Sequence, residues 1–96
     1  MDKKEQIDTL VDLLVRADNE GFVRNLLEDL FTYKEIGDLA SRLNVALLLD
    51  NGVSYSEIEK QTGASATTIA RVSKCLNHGA GGYQEAIRIL KDKSVE

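Results

Sequence analysis

The sequence predicts an all-α fold of six helices, and three observations predict it. Apolar residues recur at spacings of three and four along nearly the whole chain. No segment sustains the period-2 alternation of a half-buried strand. Capping residues and glycines punctuate the apolar stripes at intervals of helical length, with no proline anywhere.

The first stripe is Ile7, Leu10, Val11 and Leu14, and the second is Phe22, Val23, Leu26, Leu27 and Leu30. Thr32 to Glu35 reads as a capping box that opens a third helix. Its stripe runs Ile36, Leu39, Ala40, Leu43 and Leu47, and Asn51-Gly52 supplies the stop. Ser54, with Glu57 three residues on, opens a short fourth helix that Gly63 ends. Ser65 caps a fifth helix carrying Ile69, Val72 and Leu76. The run Gly79 to Gly82 breaks it, and a sixth helix uses Tyr83, Ala86, Ile87 and Leu90.

A chain of 96 residues has room for one domain, read as residues 1–96, with a modest core. Six apolar stripes are more than such a core absorbs. The first two helices therefore need a partner surface, and a second copy of the chain is the economical one. A closed monomeric bundle is the alternative.

Several function classes fall away on composition. No apolar run approaches a membrane span, and the opening MDKKEQID does not resemble a signal peptide. The single cysteine, Cys75, fits a reducing compartment, and the expected location is the cytoplasm. With one cysteine and one histidine no structural zinc site is expected, and no other metal or cofactor is indicated. No acidic pair stands out as a catalytic dyad, and the Gly79–Gly82 run lacks P-loop spacing, so no enzyme is expected. His78 reads as a helix-terminal residue and Cys75 as partly buried packing.

Charge is unevenly spread. The net charge is −4, and residues 1–50 hold eleven acids against six bases. Residues 60–78 hold Lys60, Arg71 and Lys74 with no acid at all. That window coincides with a helix-turn-helix spacing over about residues 55–74: a short helix, a turn at Gly63, and a second helix from Ala66. Ile58, Ile69 and Val72 would form its small shared core. The exposed face would then offer Ser65, Ala66, Thr67, Thr68, Arg71 and Lys74 to DNA, with Ser56 from the first helix and Arg42 from the preceding one. Small side chains and threonines suit base edges, and the arginines and lysine suit phosphates. The rival reading is a helical dimerisation or adaptor module that binds protein through its acidic N-terminal half.

At Leu39-Ala40-Ser41-Arg42-Leu43, Tyr55-Ser56-Glu57-Ile58, Thr62 through Arg71, and Cys75-Leu76-Asn77-His78-Gly79 leading to Gly82-Tyr83, the chain resembles the Trp repressor superfamily. It looks closest to the Trp-repressor-related YerC/YecD family. The resemblance implies an intertwined homodimer in which the first, second, third and sixth helices of both chains share a core. The fourth and fifth project as a DNA-reading head, and the implied function is transcriptional repression at a palindromic operator. The Trp repressor holds its ligand between two arginines, matched here by Arg42 and Arg71, which are the only effector-binding candidates. Where that repressor has glycine after the second arginine this chain has Val72, and its ligand-assisting serine corresponds to Cys75. Both differences argue against L-tryptophan as the effector, because an overfilled site and a weak polar partner disfavour the ligand.

Overall fold

A computed structural model describes residues 1–92. Its elements are α1 (Lys3–Arg16), α2 (Glu20–Leu30), α3 (Tyr33–Asp50), α4 (Tyr55–Thr62), α5 (Ala66–His78) and α6 (Gly82–Lys91). There is no strand among the described residues.

Side chains cap five of the six helix starts. Asp2 and Glu5 form a capping box on α1, and the Asn19 side chain accepts the Phe22 amide at 2.9 Å on α2. The Thr32 amide donates to Glu35 Oε1 at 2.8 Å, and the Glu35 amide donates back to Thr32 Oγ1 at 3.1 Å, closing the expected box on α3. Ser54 and Ser65 accept the amides of Glu57 and Thr68, each at 3.2 Å. Each bond satisfies an amide that the first helical turn leaves without a partner.

The chain divides into two compact units, Met1–Ile36 and the remainder from Gly37, and α3 begins in one and ends in the other. In the first unit no residue is buried. Ile7, Leu10, Val11, Leu14, Phe22 and Leu30 are exposed although they lie on the apolar stripes of α1 and α2. In the second unit Val45, Ala46, Ile58, Ile69, Val72 and Ile87 form a closed core, with Leu76 and Tyr83 packed against it.

The core of the second unit departs from one expectation. The spacing predicts an inward stripe of Ile36, Leu39, Ala40, Leu43 and Leu47 on α3, yet the buried pair is Val45 and Ala46, and Leu39 and Ala40 are exposed. From Leu43 to Leu49 this helix is apolar nearly all round, so it has a second face available for the core of α4, α5 and α6.

Two glycines fix the ends of α4 and α5 by different means. Gly63 caps α4 at φ +75, where a Cβ would meet nothing within 4 Å but the backbone conformation itself disfavours an L side chain. Gly79 is in ordinary extended backbone, but a Cβ there would sit 2.3 Å from the Cys75 carbonyl oxygen. Gly63→Ala is expected to cost about 1–2 kcal/mol. Gly79→Ala should cost more, because backbone atoms have to move. Urea denaturation of the two variants checks the order, and a costlier Gly63→Ala would contradict this assignment.

Candidate nucleic-acid interface

The turn between α4 and α5 is built by its own polar side chains. Thr62 Oγ1 donates to the Ile58 carbonyl at 2.7 Å and accepts the Ala64 amide at 3.1 Å. Gly63 supplies the positive φ between them. Ser65 then starts α5, and its hydroxyl also donates to Thr68 Oγ1 at 3.1 Å. Ile58 and Ile69 are fully buried and Val72 is 2% exposed, so the three residues expected to clamp the two helices do so.

With Ile69 and Val72 turned inward, the opposite face of α5 is open. Ala66, Thr67, Arg71 and Lys74 are exposed, as is the cap Ser65. Thr68 is half-buried and both its amide and its hydroxyl are bonded to Ser65, so it holds the start of the helix as well as bordering the open face. Ala70, absent from the sequence-predicted set, is exposed one turn from both Ala66 and Lys74. The 66–70–74 helical period was the signal that could have found it. Ser56 is exposed on α4.

Arg42 approaches this region from α3. An open depression of about 400 Å³ is lined by Asp38, Ser41 and Arg42 of α3 and by Thr62, Gly63, Ala64, Ser65 and Thr68. A second, of about 310 Å³, lies among Arg42, Thr67, Thr68, Arg71, Val72, Cys75 and Tyr83. Arg42 and Arg71 therefore border one cavity. Ser56 and Lys74 line neither.

Cys75, expected from the sequence to be partly buried packing, is instead exposed and opens on the second cavity. Leu76, four residues after Val72, packs on the core as its place on the stripe predicts. His78 is the last residue of α5, where a cation would favour the helix dipole, and Gly79 makes the cap.

The bases divide into two populations. Lys4, Arg16, Arg24, Arg88 and Lys91 each pair with an acid. The Arg88 hydrogen bond holds Glu85 below the usual carboxylate range. The side chains of Lys3, Arg42, Lys60, Arg71 and Lys74 form no hydrogen bond or ion pair with any described residue. No group of three or more potential metal-ligating side chains occurs among the described residues.

A capped two-helix unit with a glycine turn, a closed apolar clamp and an outward basic face on its second helix is a helix-turn-helix. Residues 5–91 match the sequence model of the Trp repressor protein family, and the chain belongs to that family. It is 37% identical over 92 residues to YerC, an uncharacterized protein of Bacillus subtilis (strain 168), covering 96% of this chain and 88% of YerC. The fold matches the crystal structure of a candidate Trp repressor from Staphylococcus aureus at a TM-score of 0.84 and 32% identity, covering 90% of this chain and 86% of that one. It also matches a TrpR-like protein from Eubacterium eligens ATCC 27750 at 0.86 and 32%, covering 92% and 91%.

Proposed function

We propose that this chain is a homodimeric, sequence-specific DNA-binding regulator of transcription. It acts as a repressor at a palindromic operator through the helix-turn-helix at about residues 55–74. The observation that carries this reading is the outward face of α5: small, polar, free of acids, and bearing two cations with no internal partner. In this reading Thr67, Ala66 and Ser65 meet base edges, with Thr68 behind them. Arg71, Lys74, Arg42 and Ser56 contact the sugar-phosphate backbone, which positions the helix in the major groove. Membership of the Trp repressor family supports the same reading.

The dimer is supported by the first unit. Its helices carry apolar stripes but bury no residue, and a second copy of the chain supplies the missing surface and completes residues 1–96 as one domain. No helix among the described residues is long and apolar enough to cross a membrane. We read the protein as cytoplasmic and without catalytic activity. Selecting bound sequences from a random duplex pool tests the proposal: an inverted repeat should be enriched. Absence of any enrichment would favour the adaptor reading.

L-tryptophan is not the effector in this account. Val72, although nearly all of it is buried in the core, forms part of the wall of the cavity that Arg42 and Arg71 also line, where a glycine would leave more room, and Cys75 offers only a weak polar partner there. Calorimetric titration at millimolar L-tryptophan should show no saturable heat. A one-per-chain isotherm accompanied by tighter DNA binding would contradict this.

A further inference from the structure

We propose that Lys60 makes an additional phosphate contact, carrying the grip on DNA from α5 back to the C-terminal turn of α4. The inference rests on the reading of the helix-turn-helix given above. Lys60 is exposed, and its side chain forms no hydrogen bond or ion pair with any described residue. Its surroundings explain why. One turn before it stands Ser56 and one turn after it Ala64, neither of them charged. Glu57, three residues back, instead accepts Gln61 Nε2 at 3.3 Å. Glu59 is its chain neighbour, about 100° round the helix, and no acid follows until beyond residue 78. Ile58 points into the core, so at about 100° per residue Lys60 lies on the far side of α4, on the same outer face as Ser56. In helix-turn-helix proteins the first helix crosses the DNA backbone while the second enters the groove. An unpaired lysine on the outer face of that first helix therefore meets phosphate and not bases.

A purely structural role is the competing explanation, because a cation in the last turn of α4 also favours the helix dipole. Stability and salt dependence separate the two. Arg42, Arg71 and Lys74 on both protomers make about six phosphate contacts, for a slope of log K against log salt of roughly −5, and Lys60 raises this to about eight contacts and roughly −7. Binding to a duplex chosen by selection is measured against potassium chloride concentration for the parent chain, Lys60→Gln and Lys60→Arg. Lys60→Gln should flatten the slope by about two and weaken binding about thirtyfold at 0.15 M salt, with the melting temperature nearly unchanged. Lys60→Arg should restore the slope. Ethylation interference should lose one backbone position in each half-site for Lys60→Gln. An unchanged slope in Lys60→Gln, whether or not stability falls, would overturn the proposal while leaving the function intact. If the parent chain itself shows no sequence-preferring binding, the function fails and this inference with it.

Discussion

Leu26→Asp is expected to produce a chain that neither folds nor dimerises. Leu26 lies on α2 among residues that a single chain only half covers, and none of its neighbours in α1 or α2 is buried. In a shared core each dimer would receive two unpaired carboxylates in apolar surroundings, one from each protomer. Burying a polar group without a partner costs about 1–3 kcal/mol by mutational measures, and a charge more. Whole-domain stability is only about 5–15 kcal/mol, so two such insertions remove most or all of it. Leu43→Asp, on α3, should behave alike. Sedimentation equilibrium of the parent chain at micromolar concentration should give about twice the 10.6 kDa chain mass. The Leu26→Asp protein should sediment as monomer and lose its helical circular dichroism. A folded monomer with parental stability would show that this stripe has no partner.

The Arg71→Ala, Lys74→Ala double variant should lose DNA binding by about a thousandfold at 0.15 M salt. Two contacts per protomer are four per dimer, and each contributes about 0.9 to the salt slope, so the slope should flatten by about four. Both side chains are exposed and unpaired, so the fold should be untouched. Preference among sequences should survive, because phosphate contacts carry no base information. The negative net charge of the chain makes the comparison clean, since no general basic surface remains to mask the loss.

Much of the fold, and of the helix-turn-helix within it, was legible in the residues because its signals are local. Thr32 with Glu35, Ser54 and Ser65 cap helices, Gly63 must accept positive φ, and Ile58, Ile69 and Val72 fall on facing sides of two short helices. The misses were tertiary. In α3 the run from Leu43 to Leu49 is too uniformly apolar for periodicity to say which face is inward, and packing chose Val45 and Ala46. Cys75 lies within about 60° of Val72 around α5, which made burial a reasonable expectation. Leu76, already on the stripe, covers the core beside Val72, and Cys75 faces the cavity. The unpaired state of Arg42 depends on where α3 meets the turn, which no spacing rule reports.

Selection from a random duplex pool, run in parallel on the parent chain and on Thr67→Ala, tests most directly whether α5 reads DNA. Thr67 is exposed on the outward face, and its loss should leave folding and salt slope nearly unchanged. The parent should enrich an inverted repeat whose half-sites lie about 34–36 Å apart, one helical turn. Thr67→Ala should enrich the same repeat with preference relaxed at one symmetric position in each half, at a cost of about 1–3 kcal/mol per lost base contact. An identical motif from both proteins, or no motif from either, would contradict the claim.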